Sequence, residues 1–259
     1  MGVTLVPLII PWPYFWAHYM KARRHVVTGN RYGQWGCEPP RRRSMRKLCA
    51  GMAVGLLFAA FPAWAAGASP PAKAPRFAPL TYDQLNAYQK PLGEQILKVS
   101  SVGLGGPYNP LLRSPVLGQR MFDLLYYLRW NSSLPLRLNE MAILVTGRLW
   151  RSQVEWYAHA PLAIKAGLSP EIVADLKAQK RPSSMKADEE AVYDFVMELS
   201  TKHQVSDETF ARARQILGEQ QVVDLTAVTG TYVAVAMLLA MAEESVPAGK
   251  EPPFKPGEP

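Results

Sequence analysis

The segment SQVEWYAHAP, residues 152–161, places a carboxylate and an imidazole four residues apart, at Glu155 and His159. On a helix, residues at this spacing lie one turn apart on the same face, so their side chains can touch. An acid next to an imidazole is suited to proton transfer near neutral pH. A structural interpretation is also open, because Ser152 and Glu155 fit the capping box that begins many helices. A histidine in mid-helix is often a hydrogen-bonded core residue.

A second carboxylate, Glu140, lies in LRLNEMAILV, where most neighbours are apolar. An unpaired charge buried in such surroundings is costly, so Glu140 is either at the helix surface or held by a partner. If it lies in a first helical turn, it can complement the helix dipole. The residues around Glu140 leave these alternatives open.

The residues that carry this chemistry lie in predicted helices. Thr81 and Gln84 form a capping box for a short helix that Pro91 interrupts, and Gly218 ends the helix capped by Ser206. No run of alternating apolar and polar residues predicts a strand, so the fold class is all-α with one domain. The longer predicted helices cover residues 115–130, 135–149, 153–166, 170–179, 187–203, 207–218 and 219–244.

The last predicted helix is almost wholly apolar between Val222 and Met241. Asp224 and three threonines interrupt this run, which favours a buried helix of a bundle or oligomer over a membrane span. We therefore expect no stable membrane span after the N-terminal segment is removed.

The net charge of +8 does not indicate a nucleic-acid-binding surface. Nine basic residues and one acidic residue precede Ala66, whereas 20 basic and 20 acidic residues follow it. The nearly neutral remainder offers no surface that tracks phosphates, so nucleic acid is not an expected partner.

The basic leader has the pattern of a secretory signal peptide. RRRSMRK precedes the apolar run LCAGMAVGLLFAAF, and a small-x-small site, Ala-Trp-Ala, ends at Ala65. The pattern predicts cleavage after Ala65 and a periplasmic or secreted protein, with an uncleaved anchor helix as the alternative. Met45 lies where a signal peptide begins, so residues 1–44 are interpreted as an upstream extension that is untranslated or disordered. The other predicted segments are a signal peptide at 45–65, a Pro/Ala linker at 66–79, a helical domain at 80–247 and a flexible Pro-rich tail at 248–259.

Thiolate and imidazole ligands for a metal are scarce after the cleavage site. Cys37 and Cys49 precede Ala65, and only His159 and His203 follow it. We therefore expect no disulfide and no multi-histidine metal site in the mature chain.

The segments around Glu140 and His159 read RLNEMAILVTGRLW (137–150) and VEWYAHAPLAIKAGLSPEIV (154–173). They resemble the carboxymuconolactone decarboxylase family, which includes alkylhydroperoxidase D, and weaker agreement continues in GPYNPLLRSP and LTAVTGTYVAVAMLL. The resemblance extends over about residues 80–247, and the Glu140/His159 pair is its most specific element. It implies an all-helical fold that assembles as homotrimers or homohexamers.

The peroxidase branch of that family carries a C-x-x-C pair on the helix that bears the histidine, and its glutamate and histidine relay protons to a thiol. The two cysteine positions correspond here to Ser152 and Glu155. Because neither residue can form a thiolate or a disulfide, we expect no thiol peroxidase activity.

The decarboxylase branch lacks the cysteine pair and uses no cofactor, which fits this chain better. It implies that a carbanion or dienolate is protonated as CO2 leaves a lactone acid. By this resemblance His159 is the proton donor and acceptor, Glu140 orients it, and Glu155 is a second acid. Arg148 is the candidate anchor for a substrate carboxylate, with a surface or interhelix ion pair as its alternative.

Ser152, Trp156 and Tyr232 are the remaining candidates for substrate contacts. Trp156 and Tyr232, together with Trp150, can line an apolar pocket, with packing in the core as the alternative for each. The expected function is a cofactor-free acid–base enzyme of the decarboxylase or lyase type that acts on a small carboxylated or lactone-like molecule. The alternatives are a peroxidase-like activity, which the missing cysteines oppose, and an oligomeric protein that binds a small molecule without catalysis.

The predicted export gives the first test. Signal peptidase cuts after a small-x-small site, so N-terminal sequencing of the exported protein should begin at Ala66. A mature chain that begins near Met1 would contradict both the cleavage site and the interpretation of residues 1–44.

Overall fold

The computed structural model describes residues 74–255. The predicted upstream extension, the signal peptide, the linker up to residue 73 and the last four residues lie outside this range. Within it the chain forms a short 3-10 helix, Tyr82–Gln84, and eight α-helices without a strand. The prediction of an all-α fold is confirmed. The helices are α1 Lys90–Val99, α2 Tyr108–Leu111, α3 Pro115–Trp130, α4 Leu136–Leu149, α5 Gln153–Lys165, α6 Pro170–Lys177, α7 Ala187–Lys202 and α8 Asp207–Ala242.

Helix α4 lies at the centre of the fold. Every residue from Leu138 to Arg148 is buried, and the helix contacts α5, α6, α7 and α8. A helix that is buried on all sides must be covered by neighbours, because its apolar surface is stabilised only when it is removed from water. Any ionisable side chain on α4 is therefore placed inside the core, where it needs a partner.

A short turn folds α5 back against α4. Arg151 has a left-handed backbone, with φ of 52°, and the amide of Ser152 donates to the carbonyl of Gly147 at 2.8 Å. This is the hydrogen-bonding pattern of a helix end closed by a left-handed residue. The turn brings the start of α5 next to the end of α4 and sets which faces of the two helices meet.

Helix α8 is interrupted at Gly218, whose φ of 79° and ψ of 166° are not helical. The predicted break at Gly218 and the predicted cap at Ser206 are both confirmed, since the Ser206 hydroxyl accepts the amide of Thr209. Within residues 74–255 this is the one helix long and apolar enough to cross a membrane, but half of its most apolar stretch is buried in the fold.

Asp224 explains the polar interruption in the apolar part of α8. Its carboxylate accepts the Ser133 amide at 2.8 Å and the Ser133 hydroxyl at 2.7 Å. Because Ser133 lies in the turn between α3 and α4, this aspartate fixes the entry to the central helix. Hydrogen bonds of this kind to a charged group are stronger than neutral ones.

Two local predictions differ from the structure. Pro91 does not interrupt a helix that begins at Thr81; it lies in the first turn of α1, where a missing amide proton costs nothing. The tail predicted to be flexible from residue 248 is ordered at Phe254, whose ring is 2% exposed. The Phe254 amide and carbonyl are both hydrogen-bonded to the side chain of Gln153, at 2.8 and 2.9 Å. The free energy gained by burying the apolar ring of Phe254 outweighs the flexibility expected from the proline-rich sequence around it.

A smaller cluster of apolar residues joins α1, α2 and α3. Gly118, in α3, lies close to both of the other helices. A Cβ at Gly118 would lie 2.6 Å from the Leu111 carbonyl oxygen and 2.8 Å from Leu92 Cδ2. Gly230, on α8, is exposed and has no atom within 4 Å of such a position. The two glycines therefore form a matched pair for substitution.

We expect Gly118→Ala to destabilise the fold by about 1–3 kcal/mol, because a backbone carbonyl cannot move away as a flexible side chain can. Gly230→Ala should raise stability by roughly 0.5–1 kcal/mol, since alanine loses less backbone entropy than glycine in a helix. Urea denaturation of the two variants and the wild type measures both changes. Equal stability of the two variants would show that α1, α2 and α3 do not pack as described.

Candidate functional site

Glu140 and His159 meet between α4 and α5. Glu140 lies in the second turn of α4, and His159 lies in the middle of α5. His159 Nδ1 is 2.7 Å from Glu140 Oε2, and the residues are 6% and 3% exposed. The structure thus brings together the two residues that the sequence singled out, and it rejects the alternative of a first-turn glutamate that only complements the dipole.

This contact fixes the histidine ring and leaves one of its nitrogens for other chemistry. A carboxylate that accepts from Nδ1 selects the ring tautomer and stabilises the protonated imidazole. The other nitrogen, Nε2, has no hydrogen bond to any residue in the described range of the chain. The ring is therefore oriented by the protein through Nδ1, and Nε2 is the nitrogen that this contact leaves without a partner.

Tyr232 of α8 packs edge-on against His159, with ring centroids 5.2 Å apart and an interplanar angle of 88°. Burial raises the pKa of Tyr232 well above its usual value, the charge of Arg129 opposes this shift, and the carboxyls of Glu140 and Glu155 add to it. The phenol therefore stays neutral at physiological pH. Three helices, α4, α5 and α8, thus converge on the imidazole.

Glu155 is the second carboxyl of the site, and its surroundings differ from those of Glu140. It is 3% exposed, and neither carboxyl oxygen has a hydrogen-bond partner in the described part of the chain. Burial raises the pKa of Glu155 to about 8. The Ser152 hydroxyl acts in the opposite direction, although the two side chains form no hydrogen bond of acceptable geometry. Glu155 therefore carries a proton at neutral pH.

The capping box proposed for Ser152 and Glu155 is wrong. Ser152 precedes α5 as predicted, but its side chain accepts no amide of the first turn. Glu155 is turned into the core instead, where it packs beside Gly147: a Cβ added there would lie 3.5 Å from Glu155 Cβ and 3.8 Å from Oε2. Glu155 is therefore buried beside Gly147 and does not cap the helix.

Arg148 and Trp156 are occupied by contacts within the protein. Arg148 is 4% exposed, donates from Nε to the carbonyl of Lys177 at 2.7 Å, and lies over the ring of Phe254 at 4.7 Å. Its guanidinium therefore satisfies the C-terminus of α6, as cations often do. Trp156 packs edge-on against Phe254 at 5.3 Å, in the core. Arg148 is thus a buried residue and not a surface one.

Trp150 lies outside the site, since it is 42% exposed at the end of α4. Phe254 and Gly147 are the contributors that the sequence did not indicate. Phe254 lies in a proline-rich segment without helical periodicity, and Gly147 reads as an ordinary helical glycine. The roles of Phe254 and Gly147 in the site depend on the residues that they contact in the folded structure.

Two other features bear on the chemistry. Within residues 74–255, no three His, Cys, Asp or Glu side chains are grouped so that they could hold a metal ion. Two surface clefts of about 310 and 480 Å³ are lined by residues such as Tyr193 and Phe210, and neither includes Glu140, Glu155 or His159. The candidate site is therefore identified by its buried polar groups and not by either cleft.

The helices around the buried acid–imidazole pair form a fold that also occurs in an alkylhydroperoxidase AhpD core. The sequence profile of the carboxymuconolactone decarboxylase family matches residues 115–196, which include Glu140, Ser152, Glu155 and His159. Over these residues the chain is similar to the carboxymuconolactone decarboxylase family. This family covers decarboxylase and peroxidase-related activities.

A solved structure supports the fold. The alkylhydroperoxidase AhpD core of an uncharacterized peroxidase-related protein from Ralstonia eutropha JMP134 superposes with a TM-score of 0.57 and 14% sequence identity. The match covers 69% of this chain and 93% of that one. At this identity the likeness concerns the fold alone. No curated protein has a significant sequence match to this chain.

The state of Glu155 predicts how stability depends on pH. Its pKa rises from 4.5 to about 8 on folding, so between these values the folded chain keeps a proton that the unfolded chain releases. The contribution of Glu155 to stability is complete below pH 4.5 and is lost as the pH rises to about 8. Replacing it with glutamine removes this dependence.

We therefore expect Glu155→Gln to gain roughly 3–4 kcal/mol of stability relative to wild type between pH 5 and pH 8. Urea denaturation of both proteins at the two pH values measures the difference, and other titrating groups cancel in the comparison. Parallel changes in wild type and variant would show that Glu155 is ionised in the folded chain.

Proposed function

We propose that this protein is a cofactor-free acid–base enzyme that transfers a proton to or from a small carboxylated or lactone-like substrate. The contact between His159 Nδ1 and Glu140 Oε2 is the observation that carries the proposal. An imidazole oriented by a carboxylate is the usual arrangement for general acid–base catalysis. Similarity to the carboxymuconolactone decarboxylase family over residues 115–196 supports a decarboxylase-type reaction.

The hydrogen bond between His159 Nδ1 and Glu140 determines the role proposed for each residue. With Nδ1 hydrogen-bonded to Glu140, the imidazole can donate or accept a proton only through Nε2. When the bond between the substrate carbon and its carboxylate breaks, CO2 leaves and the electron pair stays on carbon. The protonated Nε2 of His159 then supplies the proton, and Glu140 stabilises the imidazolium before transfer.

The protonated Glu155 is suited to a second role in the same reaction. A neutral carboxyl in an apolar setting can donate a hydrogen bond to an oxygen that gains charge in the transition state. Glu155 lies one helical turn from His159 on α5, and this spacing supports a role for both residues at one substrate. A peroxidase-like reaction has no such support, because residues 66–259 contain no cysteine.

Burial of the site favours one other function. The side chains of His159 and Glu140 are only 8% and 4% exposed, so the pair can instead act as a structural tie between α4 and α5. In that case the protein binds a small molecule without catalysis. Breaking a buried hydrogen bond would then lower stability by about 1–3 kcal/mol and change no rate.

The decisive variants are His159→Ala and Glu140→Gln. We expect His159→Ala to abolish turnover of small carboxylated lactones, and Glu140→Gln to lower it by about 10²–10⁴-fold, because the imidazole loses its orienting charge. Turnover is followed by CO2 release, and circular dichroism checks that the helices are retained.

A turnover rate in His159→Ala equal to wild type would overturn the acid–base role. His203→Ala is the matched control, because His203 lies in the left-handed turn after α7 and should leave the rate unchanged. A thiol-coupled hydroperoxide assay on the same preparations should give no activity in any of them.

A further inference from the structure

The segment that follows α8 is attached to the rest of the fold by a single buried ring. We call residues 247–255 the C-terminal strap. Within this range Phe254 is the one buried side chain, at 2% exposed, whereas Pro253 is partly buried and the other residues are exposed. A segment with one buried anchor opens more readily than a core helix, because few apolar contacts are lost when it leaves.

The anchor ring is held by three residues around the beginning of α5. The Phe254 ring lies edge-on against Trp156, with ring centroids 5.3 Å apart, and the Arg148 guanidinium is 4.7 Å from its centroid. The Gln153 side chain accepts the Phe254 amide at 2.8 Å and donates to the Phe254 carbonyl at 2.9 Å. These contacts therefore recognise the peptide backbone of the strap as well as its aromatic ring.

The same contacts place the strap beside the acid–imidazole site. Trp156 directly follows Glu155 and lies three residues before His159, so it shares a face of α5 with the imidazole. On α4, Arg148 directly follows the glycine against which the Glu155 carboxyl packs. The Phe254 ring therefore rests on side chains that border the site.

The site itself is closed to solvent. His159, Glu140 and Glu155 are 6%, 3% and 3% exposed, and neither of the two surface clefts includes any of them. A molecule in solution can reach the imidazole only when a covering element moves. Helices α4, α5 and α8 supply much of the main apolar core, so their displacement would disrupt the fold. The strap can leave at the loss of one buried ring.

We propose that the C-terminal strap is a lid: while Phe254 is docked beside Trp156, the acid–imidazole site is closed, and its release opens a path to His159. Gly249, whose φ of 77° lies in the left-handed region, supplies a hinge between the end of α8 and the anchor. The lid rests on the proposed function for its purpose, since an enzyme needs its substrate to reach the imidazole.

The test measures opening without a substrate, by the rate at which diethyl pyrocarbonate modifies His159 at neutral pH. This reagent attacks a free imidazole nitrogen, and Nε2 is the nitrogen that Glu140 leaves unbound. His203 is exposed and serves as the reference within the same chain. Peptide mapping by mass spectrometry follows each histidine separately.

We expect Phe254→Ala to raise the modification rate of His159 by about tenfold, because the strap loses its anchor. Gln153→Ala keeps the ring and removes both hydrogen bonds, and should raise the rate by about threefold. Phe254→Leu fills the same place with an apolar side chain and should restore most of the protection. The rate at His203 should be the same in every variant.

Phe210→Ala is the matched control, because Phe210 is a phenylalanine of α8 that is 44% exposed and lies outside the strap. It should leave the rate at His159 unchanged. Amide hydrogen exchange separates opening of the strap from loss of the fold. In Phe254→Ala the strap amides should lose protection, while those of α4 and α8 exchange as slowly as in the wild type.

The inference is overturned if His159 is modified equally fast in the wild type and in Phe254→Ala, or if α4 and α8 lose protection together with the strap. Because the modification requires no substrate, the two proposals can fail separately. Strap-dependent modification in a protein without turnover supports the lid and contradicts the proposed enzyme. Turnover in a protein whose His159 reacts independently of Phe254 supports the enzyme and contradicts the lid.

Discussion

The hydrogen bond between His159 and Glu140 allows two ionisable side chains to lie inside a helical core. Glu140 is on the most deeply buried helix, where an unpaired carboxylate would cost several kcal/mol. The imidazole meets that requirement only because the turn at Arg151 brings α5 back along α4 in the correct rotation. The packing of these two helices and the chemistry of the pair therefore depend on each other.

The two glutamates of the site show how partners decide the state of the same side chain. Glu140 and Glu155 are equally buried, yet Glu140 has an imidazole within hydrogen-bonding distance and Glu155 has none. Without a partner, Glu155 stays neutral up to about pH 8. A carboxyl held against an imidazole and a neutral carboxyl nearby have complementary capacities, since one orients a base and the other donates a hydrogen bond. Such pairs of environments are characteristic of acid–base sites.

Elements far apart in the chain complete the surroundings of α5. Tyr232 comes from α8 and closes one side of the imidazole, and Phe254 comes from the C-terminal segment and packs on Trp156 and Arg148. Both rings bury apolar area that stabilises the fold, and both limit the access of water to the polar groups. The site is therefore a product of the whole domain rather than of the α4–α5 hairpin alone.

The sequence by itself determined the helical class, most helix boundaries and the pair of residues at the centre of the site. Proline and serine at helix starts, and glycine at Gly218, act through local backbone geometry, so a single sequence reveals them. The spacing of Glu140 and His159 within a recognisable family pattern was enough to predict their contact.

Tertiary structure alone decided the rest, because burial is a property of neighbours in space. The pattern of Ser152 and Glu155 fits a helix cap, but packing beside Gly147 turns the carboxyl inward and keeps it neutral. The sequence allows Arg148 to be a surface cation or a substrate anchor. The structure shows that it donates to the carbonyl of Lys177 at the end of α6. Phe254 carries no periodic signal, and its place in the core is set by long-range contacts that no local pattern records.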